Sequence, residues 1–466
     1  MGSDVVRAVA WSIDGVVFSY RSPLGGSVQL GGYVVVAAPQ GDLLGQVLSQ
    51  RSREEDGRRM VTGAGRLLDA APDQPAFDEV GISVAPDRLV AERLSRRGSA
   101  LELGTLRDAS DVPARLEAKG FNRHTFLCGQ SGSGKTYSLG RLLEELVLST
   151  RLPLLVLDPN GDHVHLGRTR PGVERAVAAA YTEAAGEVTV LGAEPGDGVA
   201  PLRIRLRELG TAAVAALLEL DPIVDREEYN ALIHALRSAP DQGFASVAAA
   251  TEAFRGSGDE VLDRIRMRVE NLGVDRMAAW AKRSSRSFAE VWAQDQPRAL
   301  IADTSGFEER RERIAVTVAV LEHLWTRRQE RRPLLLVIDE AHDVCPAEPA
   351  DPLQRLAVDR CTRIAGEGRK YGIHLLLASQ RPDKLPENVL SQCDNLLLMR
   401  VNSAGDRAAL AARFGFVPPE LVELAGTFGL GESLLAGKVS PDPQLVRTGA
   451  RLTPEGGADI PTDWAT

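Results

Sequence analysis

The feature that most constrains this chain is a glycine-rich segment that fits the pattern G-x-x-x-x-G-K-[ST] without a mismatch. Glycines let successive backbone N–H groups turn toward one anion, and the lysine adds a positive charge. The apolar run 124–128 leads into the segment, and apolar residues at helical spacing follow it. A phosphate-binding loop between a buried strand and a helix is therefore predicted. Its residues are Gly129, Gln130, Ser131, Gly132, Ser133, Gly134, Lys135 and Thr136.

A second buried strand that ends in acids completes the expected nucleotide site. The apolar run 334–338 is followed by Asp339 and Glu340. In ATP-hydrolysing P-loop proteins the loop lysine reaches the β- and γ-phosphates, the loop hydroxyl ligates Mg²⁺, and a strand-end acid holds the ion. Lys135, Thr136 and Asp339 match these positions, with Asp339 acting through the water shell of the ion. Glu340 would orient the attacking water, so the sequence predicts an ATP hydrolase with ATP and Mg²⁺ as cofactors.

Three further segments carry polar groups in turns, and each leaves an alternative open. Gln380 follows the apolar run 373–379, where an amide either senses the γ-phosphate or forms an ordinary turn. Arg369 lies in a glycine-flanked turn and suits stabilisation of transition-state charge in a neighbouring subunit. The same pattern is typical of solvated cations at a helix C-terminus. Residues 158–163 follow a strand and also fit a turn without a functional role.

The chain reads as a small barrel followed by an α/β core. Short Val- and Leu-rich runs between glycine and proline turns indicate a small β-barrel in the first hundred residues. From residue 122, strand and helix patterns alternate, and near-continuous apolar strands indicate a parallel sheet covered on both faces. A polar, partly helical link is expected over 87–118, and helical spacing indicates a helical insertion. The expected regions are an N-terminal β-barrel (1–105), the core (106–205 and 296–440), the helical insertion (206–295) and a peripheral C-terminal tail (441–466).

Composition sets limits on function and location. The chain of 466 residues is 44 % apolar and 26 % charged, as in an ordinary globular protein. Its formal net charge of −9 does not favour DNA as a partner, although a ring can confine basic groups to its lumen. The four cysteines lack metal-ligand spacing, and no run approaches the ~18 to 20 apolar residues of a membrane span. We therefore expect a cytoplasmic protein in a reducing compartment, without membrane association.

The order of four motifs resembles the HerA branch of the HerA/FtsK translocases. Within the barrel region, the run 31–36 and the segment 44–47 are similar to the HAS-barrel of that family. Two departures fall in one motif, with Asp162 where Glu is usual and His163 where Tyr is common. The motifs are the phosphate loop 129–136, Asp158-Pro159-Asn160-Gly161-Asp162, Asp339-Glu340-Ala341-His342 and Ala378-Ser379-Gln380-Arg381-Pro382.

The resemblance implies a fold, an assembly and partners. The fold is α/β, with a RecA-like P-loop ATPase core of mostly parallel sheet, a HAS-barrel-like N-terminal barrel and a helical insertion. The assembly is a homohexameric ring that pulls double-stranded DNA through its channel. A nuclease partner, NurA-like or another defence effector, would serve DNA end processing or antiphage defence. Arg369 falls where related rings carry a trans arginine finger, and Arg381 is a second candidate for contact with the γ-phosphate.

Three functions remain open at this point. The leading hypothesis is a hexameric DNA translocase or helicase. The alternatives are an ATP-gated ring scaffold that assembles and regulates an effector nuclease, and a motor that moves protein. DNA contact would come from basic groups facing the lumen, yet the candidate arginines are also typical of a solvated amphipathic face. These candidates are Arg203, Arg205, Arg207, Arg264, Arg266 and Arg268.

Overall fold

A computed structural model describes residues 7–25, 28–55, 58–96, 101–238, 258–282 and 284–456. The described residues form two compact units. The first unit comprises residues up to 121 together with 125–145 and 394–450. The second comprises residues 122–124, 146–393 and the segment from 451 onward.

The N-terminal part of the first unit is a closed six-stranded barrel in which all neighbouring strands are antiparallel. Alternating residues such as Phe18, Tyr20, Val34 and Val36 point into its core and are buried, which is the period of two expected for a barrel strand. Around the barrel the strands are Val9–Ser12, Val17–Pro23, Arg58–Leu67, Gly41–Glu55, Tyr33–Ala38 and Phe77–Val84.

Glycines explain why one barrel strand is hard to recognise in the sequence. Gly63 and Gly65 interrupt the apolar pattern of Arg58–Leu67. A Cβ atom on Gly65 would lie 2.2 Å from Cζ of Phe18, so the absence of a side chain lets the Phe18 ring fill the barrel. These glycines are therefore packing positions and not turns.

The remainder of the first unit contains an antiparallel ladder and the strand that leads into the phosphate loop. The ladder runs in the order Cys393–Leu398, Glu432–Gly437, Ser440–Thr448, Leu101–Leu106 and Ala109–Leu116, and the loop strand is His124–Cys128. Helices are Asp87–Arg96, Lys135–Ser149, Ala404–Arg413 and Pro419–Glu423, with 3₁₀ turns at Ala118–Asn122 and Leu424–Thr427.

Two expectations for this part of the chain need correction. The link expected over 87–118 is partly helical, as predicted, but its second half is the hairpin Leu101–Leu106 and Ala109–Leu116. The tail expected over 441–466 is not peripheral in its described part, because the strand Ser440–Thr448 is paired on both sides. Two of the prolines that suggested a tail, Pro441 and Pro443, lie between the paired positions Ser440 and Gln444, where no ladder hydrogen bond is required. Residues 457–466 of that prediction lie outside the described residues.

The second unit contains a parallel sheet whose central strands are buried on both faces. Its strand order is Val199–Pro201, Val188–Gly192, Ala299–Asp303, Leu154–Asp158, Leu334–Ile338 and Ile373–Ser379. Its α-helices are Arg175–Ala184, Thr211–Leu217, Arg226–Ser238, Glu260–Asn271, Phe288–Asp295, Arg310–Thr326, Ala341–Val344, Pro352–Glu367 and Glu387–Leu390. Its 3₁₀ turns are Leu206–Glu208, Val274–Arg276, Arg328–Glu330, Gly368–Tyr371 and Pro382–Lys384.

The predicted fold class is confirmed: a mostly parallel α/β core accompanies a closed N-terminal barrel. Between 206 and 295 the described residues form helices and turns, while 239–257 and 283 of the expected insertion lie outside the described residues. The other region boundaries stay a prediction. Within the described ranges, no helix has the length and apolar character required to cross a bilayer.

Candidate active site

The phosphate loop in the first unit has the backbone that its sequence predicts. The buried strand His124–Cys128 precedes it, and the helix Lys135–Ser149 begins at the lysine itself. Gly132 and Gly134 have φ angles of 71° and 88°, in the left-handed region that favours glycine. A Cβ atom on Gly129 would lie 2.6 Å from Oγ of Ser133, so the turn is tight at its start as well. The loop thereby has the backbone geometry of an anion-binding turn at a helix N-terminus.

The segment after the strand Cys393–Leu398 fixes the phosphate loop from one side. Nη2 of Arg400 donates to the carbonyl of Gly132 at 2.7 Å. The N–H of Gln130 donates to the carbonyl of Arg400 at 3.0 Å, and Oε1 of Gln130 accepts from the N–H of Asn402 at 2.8 Å. Arg400 was missed by sequence reasoning, although its position directly after an apolar strand was an available signal. Its guanidinium brings a second cation to the loop that carries the buried Lys135.

In the second unit the turn 158–163 wraps around a buried carboxylate. Oδ1 of Asp158 accepts the N–H groups of residues 160, 161 and 162 at 2.9–3.3 Å, and Oδ2 accepts that of His163 at 2.8 Å. The result is a rigid turn at the end of the strand Leu154–Asp158. The sequence left the role of this segment open. In the structure, the turn holds the His163 ring in the interior.

His163 contacts Asp339, the acid expected to hold the metal. Nε2 of His163 lies 3.5 Å from Oδ2 of Asp339, and both side chains are fully buried. Oδ1 of Asp339 accepts the N–H of Glu340 at 2.8 Å. Burial by itself lowers the pKa of His163, but the Asp339 and Asp158 carboxylates outweigh it and the pKa is raised. The imidazole is thus placed to orient the Asp339 carboxylate.

Glu340 and Gln380, which the sequence predicted as the catalytic acid and the γ-phosphate sensor, contact each other, and these roles stay a prediction. Nε2 of Gln380 donates to Oε1 of Glu340 at 2.6 Å. Nδ1 of His342 lies 3.3 Å from Oε2 of Glu340 and 3.2 Å from Oγ of Ser379. The backbone of Glu340 has φ 43°, an uncommon angle for a residue with a side chain. Such strain is typical of functional positions, and here the carboxylate is buried against polar partners at the end of the strand Leu334–Ile338.

The two candidate arginines lie in different places. Arg381 is exposed, and within the described ranges its guanidinium makes no hydrogen bond or ion pair. Arg369 is in the 3₁₀ turn before the strand Ile373–Ser379. The pKa of His374 is lowered first by burial and then by the positive charge of Arg369, so the two side chains lie close together. Gln380 follows the other end of this strand, roughly 20 Å away. Arg369 is therefore separated from Glu340 of its own chain.

The arginines considered for DNA contact are engaged within the second unit. Arg205 donates twice to Glu290, and Arg203 donates to the carbonyls of Ala193 and Leu202. Each of the other four lies within 3.3 Å of an acidic partner. The interpretation as a charged, internally paired face fits these contacts better than a row of cations free to bind phosphates. No residue is assigned to DNA on this basis.

Among the described residues no cluster of His, Cys, Asp or Glu could hold a metal ion by itself. This fits Mg²⁺, which is usually bound by one or two carboxylates together with substrate phosphates and water. The buried Asp339 carboxylate and the half-buried Thr136 hydroxyl provide suitable oxygen atoms, each in its own unit.

Comparisons with known proteins agree with the motifs. Residues 101–324 match a family model described as Helicase HerA, central domain. The DNA double-strand break repair helicase HerA of Sulfolobus acidocaldarius is 22 % identical over 406 residues, which is 81 % of this chain and 74 % of that protein. The protein of the same name from Pyrococcus furiosus is 32 % identical over 115 residues, covering 25 % of this chain and 20 % of that protein.

A solved structure supports the same fold. VirB4 of Thermoanaerobacter pseudethanolicus aligns over 76 % of this chain and 97 % of that protein, with a TM-score of 0.50 and 18 % identity. The resemblance to HerA-type ATPases is confirmed by the family and relative matches. The chain is an ATP-hydrolysing enzyme with a P-loop nucleotide-binding fold.

Proposed function

We propose that this HerA-like ATP hydrolase forms a ring that translocates double-stranded DNA. The observation that carries the proposal is the hydrogen bond between the half-buried Gln380 and the buried Glu340, in a chain whose residues 101–324 match the HerA helicase central domain. Two of the matching relatives are named as DNA double-strand break repair helicases. A nuclease partner, NurA-like or another defence effector, would act on DNA that the ring delivers, in end processing or antiphage defence.

The chemistry follows from the residues in their proposed roles. The loop 129–136 binds the phosphates of ATP, with Lys135 at the β- and γ-phosphates. Thr136 and Asp339 would hold Mg²⁺, which supplies neutralisation of phosphate charge. Glu340 orients the attacking water with the carboxylate oxygen that faces away from Gln380. Gln380 would sense the γ-phosphate and change its contact with Glu340 when the phosphate leaves.

The placement of the arginines supports the proposed ring. The turn that carries Arg369 lies at the opposite end of the strand Ile373–Ser379 from Gln380, roughly 20 Å along the chain. This supports a role for Arg369 in the site of a neighbouring subunit. Arg381 is exposed and is the second candidate for the trans position. Six subunits are proposed from the resemblance to HerA-type rings.

The test measures the ATPase rate with and without linear duplex DNA. We expect a rate that rises at least several-fold with DNA and falls back as salt is added, because non-specific DNA binding releases counterions. Glu340→Gln is the control and should show no turnover in either condition. An ATPase rate that is the same with and without DNA but changes when a nuclease partner is added would support the scaffold and contradict the DNA motor. An ATPase rate that changes only with a protein substrate would indicate a motor that moves protein.

The trans arginine is tested by mixing variants that are inactive alone. In a ring that mixes Arg369→Ala with Lys135→Ala subunits, an intact phosphate loop meets an intact arginine at some interfaces. Recovery of part of the activity is expected only if Arg369 acts across the interface. The same mixture with Arg381→Ala is the matched comparison. If Arg369→Ala alone has the ATPase rate of the wild type, Arg369 is a solvated cation and not a trans arginine.

A further inference from the structure

The turn 429–431 is fixed directly onto the phosphate loop. The N–H of Gly431 donates to the carbonyl of Ser133 at 3.0 Å, and the N–H of Thr448 donates to the carbonyl of Gly431 at 2.9 Å. Oγ1 of Thr448 is 2.8 Å from Oγ of Ser138, in the first turns of the helix that follows the loop. All of these residues belong to the first unit. The turn and the loop therefore form one rigid assembly.

The turn is also braced from its other side. Oε2 of Glu432 accepts the N–H of Gly429 at 2.9 Å. Nη2 of Arg447 lies 3.1 Å from Oε1 of the same carboxylate. Gly431 has φ 72°, which an L side chain rarely adopts. The residue between the two glycines is therefore held in place with little backbone freedom.

That residue is Leu430, whose side chain is 74 % exposed. A Cβ atom on Gly134 of the phosphate loop would lie 3.4 Å from Cδ1 of Leu430, so the apolar side chain stands beside the glycine that precedes Lys135. Scattered exposed leucines need no explanation on a protein surface. This one differs because its turn is hydrogen-bonded to an anion-binding loop, and phosphates on that loop would bring the rest of a nucleotide past it.

We infer that Leu430 is the platform on which the base of the bound nucleotide packs. The inference rests on the proposed nucleotide site and adds a subsite to it. The loop leads into the helix Lys135–Ser149, and the ribose and base are covalently attached to the phosphates that the loop would hold. A purine has an apolar face, and ligand sites combine such apolar contacts with a few fixed polar groups. Leu430 supplies the apolar contact, and the loop supplies the polar groups.

The experiment separates the base from the phosphates. Calorimetry measures the Kd of ATP and of inorganic tripolyphosphate, each with Mg²⁺, for the full-length wild type and for Leu430→Ser. We expect the Kd of ATP to rise about tenfold in the variant because apolar contact is lost, with the Kd of tripolyphosphate unchanged. Leu430→Met should restore ATP binding. Leu24→Ser, at a half-exposed leucine in the barrel, is the matched control and should change neither value.

Other outcomes overturn the inference. Equal weakening of ATP and tripolyphosphate would mean that the turn only supports the phosphate loop. If Leu430→Ser leaves the affinity for both ligands unchanged, Leu430 is not part of the site. If Leu430→Ser changes the oligomeric state in size-exclusion chromatography while ATP affinity is unchanged, Leu430 is a subunit contact. A wild-type protein that binds ATP but ignores DNA would refute the proposed translocase while leaving this subsite intact.

Discussion

Removing the buried imidazole of His124 should make the free energy of unfolding depend less on pH in the acidic range. His124 is fully buried, and both ring nitrogens are engaged. Nδ1 accepts the N–H of Leu375 at 2.9 Å, so the proton resides on Nε2, which donates to the carbonyl of Ala365 at 2.9 Å. A second proton on Nδ1 would face the Leu375 N–H and lose that hydrogen bond. The geometry therefore specifies the neutral ring.

The magnitude follows from the pKa. Burial, followed by the positive charge of Arg369, lowers the pKa of His124 to about 4, against 6.5 for an ordinary histidine. Because the unfolded chain binds the proton more readily, the stability contributed by the neutral ring is complete above pH 6.5 and is lost as the pH falls toward 4. At pH 5 the loss from His124 alone is about 2 kcal/mol in the free energy of unfolding.

The assay compares urea unfolding of the wild type and of His124→Asn at pH 7.5, 6.0 and 5.0. The variant keeps an acceptor for the Leu375 N–H but cannot titrate. We expect it to be less stable than the wild type by about 1–2 kcal/mol at pH 7.5, since the Ala365 carbonyl loses its donor. Between pH 7.5 and pH 5 it should lose about 2 kcal/mol less than the wild type does.

An exposed histidine provides the control. His234→Asn should keep the pH dependence of the wild type, because the exposed side chain has no comparable burial. The reasoning is refuted if wild type and His124→Asn lose the same stability between pH 7.5 and pH 5. It is also refuted if the wild type gains stability on acidification relative to the variant.

Four further outcomes are expected. Asn395→Leu removes three buried hydrogen bonds in the first unit and should cost about 3 kcal/mol, read from the thermal unfolding midpoint. Gly65→Ala places a methyl carbon 2.2 Å from the ring of Phe18 and 2.3 Å from the carbonyl oxygen of Gln46, and it should destabilise the barrel by about 2 kcal/mol, of which Phe18→Leu should recover only the part due to the ring. Glu340→Gln should retain bound ATP without turnover, and measured hydrolysis would remove this residue from its role. His163→Ala should raise the Mg²⁺ concentration for half-maximal activity about tenfold, and an unchanged Mg²⁺ requirement would show that the ring does not orient Asp339.

Much of the candidate site could be predicted because it consists of short contiguous motifs. The phosphate loop and the Asp339-Glu340 pair are contiguous motifs, and each sits at the end of a short apolar strand that the structure also contains. The contact between Glu340 and Gln380 was foreseeable because the carboxyl ends of adjacent parallel strands meet at one edge of a sheet. Their roles in catalysis remain predictions.

Contacts between distant segments were beyond local reasoning. Arg400 reaches Gly132 and His163 reaches Asp339 only through the packing of separate strands and turns. Pro441 and Pro443 led to the prediction of a tail, yet they belong to the strand Ser440–Thr448 and lie between two of its paired positions. Such features depend on strand order and register, which no short window of sequence contains.

Titration calorimetry of the purified protein with ATP at millimolar Mg²⁺ tests the central claim most directly. We predict saturable binding to the wild type and its loss in Lys135→Ala, since the loop then lacks the ammonium group that reaches the phosphates. Absence of heat from the folded wild type, or equal affinity in Lys135→Ala, would contradict the assignment of residues 129–136 as the ATP site.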